Sequence, residues 1–350
     1  LKHLNIAYPA YAFDRFNWDR MASVLKPISR HHNLQVFYYE ERTPPDVDWC
    51  RFVKVPPPGN LFDLNATSRL AMKIVGFLDD FDLLYCWSSG AYFQLLNVLI
   101  AQLAKKPIVI HLNGDGTLSR KHHLEAVECL IEDSMDYITL NNIDQIIPIS
   151  SILHEAVLPR IKNKSKVTNP IPFTVDTYQF KPYPYPKGLT IGYAGRISPE
   201  KGFPFYFDVM KATPQQRYRI AGIPQMDVRY PDNCHYIGIF HLNEMQNFYG
   251  LCNVIALPSY GEGMPANILE AYACGRPVIC TPESRPKELP LFGWEIPHNV
   301  ELWKNRIETL DWAECQSVGI KAHDWITKEW PTWSDFAQKM SKVFLSITKN

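Results

Sequence analysis

The chain has 350 residues, 46% of them hydrophobic and 21% charged, with 36 basic side chains balanced by 36 acidic ones. That length exceeds one ordinary core and the composition is too apolar for disorder, so two domains of about 150 to 180 residues are expected. The zero net charge excludes a global field favouring nucleic acid or an anionic membrane and leaves only local basic patches to consider.

The eight cysteines form no CxxC pair and no metal-ligand spacing, which fits reduced, buried thiols. No charged segment followed by an apolar run opens the chain, and the greasiest stretch, 91–104, is interrupted by Gln94, Asn97 and Gln102. A cytoplasmic location is therefore expected, with a trimmed leader left open by the initial Leu1.

Short apolar runs alternate with helical patterns from end to end, the signature of an α/β chain with parallel sheets covered on both faces. The first half predicts strands at 4–8, 34–38, 83–86, 108–111 and 145–149. Asp63 or Asn65 can cap a helix running to about Leu78, and Ser88 or Ser89 can start one ending near Ala104. Between 163 and 188, Pro170, Pro172, Pro182, Pro184 and Pro186 interrupt both periodicities, which predicts an interdomain linker. Strands resume at 189–194, 218–221, 234–237, 254–257 and 277–280, and 325–347 reads as one or two amphipathic helices broken at Pro331. The expected organisation is a first domain over 1–168, a second over 169–325 and a helical segment over 326–350.

Two segments carry candidate chemistry. The first is Ile191-Gly192-Tyr193-Ala194-Gly195-Arg196-Ile197-Ser198-Pro199-Glu200-Lys201-Gly202. It follows a strand, at the carboxyl edge of the sheet where ligands bind. Glycine lets the backbone approach a phosphate, and Arg196 and Lys201 can clamp a diphosphate from two sides. The alternative is a turn with two solvated charges.

The second is Pro258-Ser259-Tyr260-Gly261-Glu262-Gly263-Met264-Pro265-Ala266-Asn267-Ile268-Leu269-Glu270-Ala271. Pro265 suits a first helical turn, which predicts a helix from about Met264 whose unpaired amides favour a phosphate or a charged sugar oxygen. Glu262 then lies in the loop and Glu270 about two turns inside the helix, on nearly the same side. Such carboxylates accept hydrogen bonds from sugar and ribose hydroxyls. Otherwise Glu262 is a helix cap and Glu270 a surface charge. The spacing alone carries little weight; the Gly-Glu-Gly-x-Pro context carries the argument.

In this order and at this separation the two segments resemble the retaining glycosyltransferases of family four. That family's pattern E-G-x-P-x-x-x-x-E-A, continued by A-x-G-x-P-V-I, is met by Glu262 through Ala271 and by Ala273-Cys274-Gly275-Arg276-Pro277-Val278-Ile279. Weaker matches are Asn169-Pro170, Phe180-Lys181-Pro182, Ala221-Gly222 and Tyr236-Ile237-Gly238. The resemblance is strong over 167–289 and topological before that. It implies the α/β GT-B fold, two Rossmann-like domains with parallel sheets facing a central cleft.

It further implies that Gly195, Arg196 and Lys201 hold the donor diphosphate, that Glu262 touches the sugar and that Glu270 touches the ribose. Gly263, Met264, Pro265 and Ala266 then border the donor at the helix start, and the backbone near Ile239 and Phe240 lies beside the base. No cofactor or metal is expected beyond a nucleoside diphosphate sugar as donor, because the two cations and the helix end stand where a divalent ion would. Asp46-Val47-Asp48 has the spacing of a metal motif but sits in a proline-rich loop.

The first half also holds Ile110-His111-Leu112-Asn113-Gly114 at a strand end. The family resembles this with a histidine facing the donor, so His111 is expected to bond the donor sugar and joins Arg196, Lys201 and Glu262 as the catalytic set; a structural histidine is the alternative. The chain departs from the family after the first strand, where Tyr8-Pro9-Ala10-Tyr11-Ala12-Phe13-Asp14-Arg15-Phe16-Asn17-Trp18 replaces a Gly-Gly pair. Those aromatics are equally suited to stacking an acceptor and to packing over the first helix. The segment Thr281 to Leu289 likewise lacks the usual glycine before Glu288.

Arg120-Lys121-His122-His123 and the run from Arg160 to Lys166 are candidates for contact with a membrane bearing a lipid-linked acceptor, with solvated surface as the alternative. The implied activity is retaining transfer of a sugar from a nucleoside diphosphate sugar to a hydroxyl of a glycan, a glycolipid or a small molecule. An epimerase or phosphorylase on the same scaffold, or a non-catalytic nucleotide-sugar binding protein, are the other classes.

Overall fold

The computed structural model describes residues 2–10, 15–39, 44–57, 63–87, 91–113 and 125–349. The aromatic stretch 11–14, the helix start at Ser88 and Ser89, the turn from Gly114 and the cluster Arg120 to His123 lie outside the described residues. The chain forms two compact units, one of Leu1–Thr117, Glu125–Phe173 and Trp333–Asn350, the other containing Thr174–Thr332.

Unit 1 is built on β1 (Asn5–Ala10), β2 (Asn33–Tyr38), β3 (Arg51–Lys54), β4 (Leu83–Trp87), β5 (Ile108–Leu112) and β6 (Gln145–Pro148). All pair in parallel, in the order β3-β2-β1-β4-β5-β6. Between them run α1 (Arg15–Ser29), α2 (Leu64–Phe77), α3 (Ala91–Ala104) and α4 (Ala126–Asn141), and α5 (Ser151–Val157) follows β6. Asp63 caps α2 by accepting the amides of Asn65 and Ala66 at 2.9 and 3.2 Å, which satisfies donors the helix itself cannot.

Unit 2 repeats the plan with β7 (Thr190–Ala194), α6 (Phe203–Ala212), β8 (Arg217–Ala221), β9 (Cys234–Tyr236), α7 (Met245–Gly250), β10 (Val254–Leu257), α8 (Ala266–Ala273), β11 (Val278–Cys280), β12 (Gly293–Glu295), α9 (Val300–Thr309) and α10 (Trp312–Lys328). Its parallel order is β12-β11-β10-β7-β8-β9. Strands β7 and β10 are buried at every residue, as a sheet covered on both faces requires. No described helix is long and apolar enough to cross a membrane.

Each strand expected from the sequence is present within two residues of its predicted ends. The short strands β3 and β12, at the two sheet edges, were not foreseen: four and three residues are too few to show a period. The proline-rich stretch from 167 to 189 contains no helix and no strand beyond one isolated bridge at Val167. Its segment at Tyr183 and Pro184 is held by Arg276, whose Nη2 donates to both carbonyls at 3.0 and 3.2 Å.

After Pro331 comes the last helix, α11 (Trp333–Ile347), which returns to unit 1. Phe336, Met340 and Phe344, four residues apart and so on one face, join the core cluster with Leu4, Ile6 and Tyr8. Two buried histidines hold this arrangement. His32 Nδ1 accepts the Leu4 amide at 3.3 Å and its Nε2 donates to Ser341 Oγ of α11 at 2.8 Å. His111 Nε2 donates to the Ile171 carbonyl at 2.9 Å, its Nδ1 accepts from Tyr85 Oη at 3.2 Å, and its ring stacks on Phe336.

Both rings are neutral in this network, because protonation would put a hydrogen on an accepting Nδ1. Burial lowers His111 to about 4. Burial, then the charges of His31 and His3, lowers His32 to about 4. A depressed folded pKa gives stability that is present above the unfolded value of about 6.5 and is lost as pH falls toward the folded one. The resistance of unit 1 to denaturant is expected to weaken between about pH 6.5 and 4, with His111 alone contributing on the order of 3 kcal/mol. His111→Asn should flatten that pH dependence in urea titrations followed by fluorescence.

Candidate functional site

In unit 2 the chain leaves β7 in one direction, toward β8 and β9, and later returns on the other side of β7 as β10, β11 and β12. The carboxyl ends of β7 and β10 are therefore the point where the loops diverge and leave a crevice, the place where open α/β sheets bind ligands. The segments 195–202 and 258–265 are those two loops.

The loops are joined side chain to side chain and backbone to backbone. Lys201 Nζ lies 3.0 Å from both carboxylate oxygens of Glu262, and the two side chains are mostly buried. Ser259 Oγ donates to Glu262 Oε1 at 2.7 Å. The Tyr260 amide donates to the Glu200 carbonyl at 3.2 Å. Gly202 has φ +68°, and a Cβ there would collide with the Pro258 carbonyl oxygen. Only glycine permits this turn and this approach together.

Arg196 occupies the same loop as Lys201. Its guanidinium lies 3.0 Å from Glu200 Oε1, with the Arg196 side chain 43% exposed and Glu200 nearly buried. The Arg196 backbone is pinned by Tyr193, whose hydroxyl donates to the Arg196 carbonyl. Burial, with the Glu262 and Glu200 carboxylates adding, raises the Tyr193 phenol well above its ordinary range, so it remains a neutral donor. Gly195 ends the strand, and a Cβ on Gly222 would collide with its carbonyl oxygen. Gly222 in turn donates its amide to the Gly238 carbonyl at 3.0 Å. Ile239, half exposed, and Phe240, packed edge-on to Phe248, follow that contact.

Helix α8 begins at Ala266, with Pro265 as the extended cap residue (φ −74°, ψ 102°) and no side-chain cap bond. The start is thus slightly later than Met264, which makes Glu270 the fifth helical residue and shallower than two turns. Asn267 Nδ2 reaches back to the Ala194 carbonyl at 3.2 Å, which fixes the helix start beside the end of β7. Gly263 and Met264 are buried in the loop just ahead of it.

Glu270 is 2% exposed and accepts a hydrogen bond from Tyr249 Oη at 2.7 Å. It is not a surface charge. Arg276, fully buried, donates to the carbonyls of Tyr249, Cys274, Tyr183 and Pro184 and lies over the Tyr185 ring at 4.1 Å. Its burial lowers its pKa, and its role is to tie the end of α8 to the proline-rich segment.

His111 belongs to unit 1 and is fully buried. With Ile171 on one ring nitrogen and Tyr85 on the other, it has no nitrogen to offer a ligand in this arrangement. Asp46 and Asp48 are exposed in the loop before β3, and no group of three His, Cys, Asp or Glu suited to a metal occurs among the described residues. In the basic run 160–166, Arg160 pairs with Asp133 and Asp136, and Lys166 donates to the carbonyls of Asn141 and Ile143. Those two cations serve the fold. Ser259, Tyr193 and Asn267 were not singled out in the sequence; the one signal for Ser259 is its place three residues before Glu262.

Residues 188–310 match the family model of glycosyl transferases group 1. No curated protein matches the sequence as a relative. Among solved structures, sucrose-phosphate synthase from Thermosynechococcus elongatus is similar with a TM-score of 0.79 at 18% identity, over 99% of each chain. The Anabaena protein HepE, solved with UDP and glucose, gives 0.74 at 16% identity, over 98% of this chain and 100% of that one. The α,α-trehalose 6-phosphate synthase of Burkholderia multivorans gives 0.72 at 10%, over 100% of this chain and 99% of that one. At these identities the likeness shows the fold, which is GT-B. Fold and family match together define the class, a glycosyltransferase. Within that class the more particular match, group 1, holds for the segment that carries both loops.

Gly202→Ala is expected to cost about 2 kcal/mol or more, since a left-handed φ and a backbone collision act together. The measurement is a guanidinium unfolding midpoint, and an unchanged midpoint would show that the two loops do not need this contact.

Proposed function

We propose that the protein is a retaining glycosyltransferase that moves a sugar from a nucleoside diphosphate sugar to a hydroxyl of a glycan, a glycolipid or a small molecule. The observation that carries this reading is the meeting of Lys201 with Glu262 at the switch point of the second sheet, beside the start of α8. HepE, similar in fold, was solved with UDP and with UDP-glucose, which supports a nucleotide sugar as donor.

In this reading Arg196, the more exposed cation, and Lys201 take the diphosphate together with the amides at the start of α8. Charge grows on the departing diphosphate as the glycosidic bond breaks, and fixed cations and amide dipoles stabilise it without reorganising. The carboxylates of Glu200 and Glu262 hold the two cations in place until the diphosphate arrives. Glu262, released from Lys201, accepts from sugar hydroxyls; Glu270, braced by Tyr249, serves the ribose. Ile239 and Phe240 flank the base.

Arg196 and Lys201 supply the positive charge, so the reaction needs no metal and no cofactor besides the donor. The eight free thiols, with Cys252 and Cys274 pushed up to about 12 by burial, fit a reducing cytoplasm.

Incubation with UDP-, GDP- and ADP-sugars plus hydroxyl acceptors is expected to release nucleotide with one donor class. Lys201→Ala should lower kcat/KM by about 100-fold or more, and Glu270→Gln should weaken donor binding, with circular dichroism unchanged. Turnover and donor affinity that survive both substitutions would remove the assignment of this site.

A further inference from the structure

Helix α7 is six residues long, too short to hold its place by its own hydrogen bonds, so side chains fix it. Met245, Phe248 and Tyr249 are its buried residues, and the last two, adjacent in the chain, contact different parts of the proposed donor site. Phe248 meets Phe240 edge-on with ring centres 6.0 Å apart, and Phe240 follows the turn at Gly238 that the proposed function sets beside the base. Tyr249 donates its hydroxyl to Glu270 Oε2 at 2.7 Å, the carboxylate assigned to the ribose.

Tyr249 is itself held. It is fully buried, its ring meets Phe180 edge-on at 6.1 Å, and its carbonyl accepts Arg276 Nε at 3.0 Å. Phe180 belongs to the proline-rich stretch, which also braces the base side, where Gln179 Nε2 donates to the Leu242 carbonyl at 2.7 Å. The phenol oxygen is therefore a fixed point, whereas a glutamate carboxylate swings on a flexible stem. A hydrogen bond from a phenol to a carboxylate is one of the strong ones, and here it selects the direction of that stem. Glu270 is 2% exposed, so little of its surface remains to meet a ligand and its orientation decides whether it does.

Resting on the reading of Glu270 as the ribose acceptor, we infer that Tyr249 is a positioning residue for nucleoside recognition. By fixing the Glu270 carboxylate it lets the site tell a ribonucleotide from one that lacks the ribose hydroxyls. A site built to pair with hydroxyls rejects an analogue without them because its own polar group is then left short of a partner. That penalty is largest when the acceptor cannot turn elsewhere. Held by Tyr249, Glu270 cannot; released, it can, and discrimination falls together with affinity.

Titration calorimetry of the full chain first ranks UDP, GDP and ADP, then compares the tightest of them with its 2′,3′-dideoxy counterpart. The intact protein is expected to favour the ribonucleotide by roughly tenfold or more. Tyr249→Phe keeps the ring and loses the donor, and should cut that preference to about twofold through weaker ribonucleotide binding. The ranking of the bases should stay as it was, because Phe248 still packs on Phe240; a general loosening of α7 would move both. In the Glu270→Gln background the same substitution should change the preference no further, as for two residues acting as one unit. Should Tyr249→Phe fail to fold, Phe180→Leu decides: it loosens the tyrosine ring without removing a donor and should lower the preference by about twofold. A preference that survives in the folded variant, or a base ranking that shifts with it, overturns the role of Tyr249 and leaves that of Glu270 standing. An intact protein that binds none of the three diphosphates, or binds ribo- and dideoxynucleotide alike, overturns both.

Discussion

The second unit is organised around the ion pair of Lys201 and Glu262. The two residues are separated by 61 positions in the chain, yet Nζ stands 3.0 Å from each carboxylate oxygen. Both side chains retain only 15% and 13% of their exposure, so each charge has lost much of its water and depends on the other. Removing one partner from a fully buried pair costs about 3 to 5 kcal/mol, and a pair still partly wet costs less. The consequence is geometric. Two loops that leave adjacent strands for opposite sides of a sheet are held face to face at the point where they would separate.

Backbone contacts carry the same constraint outward along the sheet edge. Gly202 lies against the Pro258 carbonyl and Gly222 against Gly195, at distances no Cβ would permit, and Gly222 bonds Gly238. The ends of β7, β8, β9 and β10 thereby form one surface of backbone carbonyls and amides, with the start of α8 drawn in by Asn267. A binding edge made this way offers close backbone approach, which suits an anionic, hydroxyl-rich ligand better than an apolar one.

The sequence made this edge legible through residues whose partners are local. The apolar run 254–257 is the observed β10, and the glycines and proline after it announce a turn and a helix start, displaced by two residues because Pro265 holds an extended ψ as the cap. Residues whose partners are distant were illegible. His111 reads as a strand-end histidine open to a ligand, but Ile171, 60 residues on, and Phe336 of the last helix enclose it. Arg276 reads as a variable position inside a motif, although its guanidinium collects carbonyls from Tyr183 and Pro184, more than 90 positions earlier. Edge strands β3 and β12 were invisible for another reason: at four and three residues they exist through pairing with β2 and β11 rather than through any pattern of their own.

Arg276 and Glu262 show why a single stretch of sequence can serve both chemistry and architecture. Glu262 sits in a loop whose backbone is fixed from outside, by Thr281 Oγ1 on the Ser259 carbonyl at 2.6 Å and His298 Nε2 on the Pro258 carbonyl at 2.8 Å. Its carboxylate is therefore free to change partner without the loop changing course. Arg276 is the reverse case: its donors are spent on backbone carbonyls, and its stacking on Tyr185 locks the far end of α8. A helix whose C-terminal end is immobilised presents its N-terminal amides at a fixed place, and those amides help to stabilise charge only when they need not move to meet it.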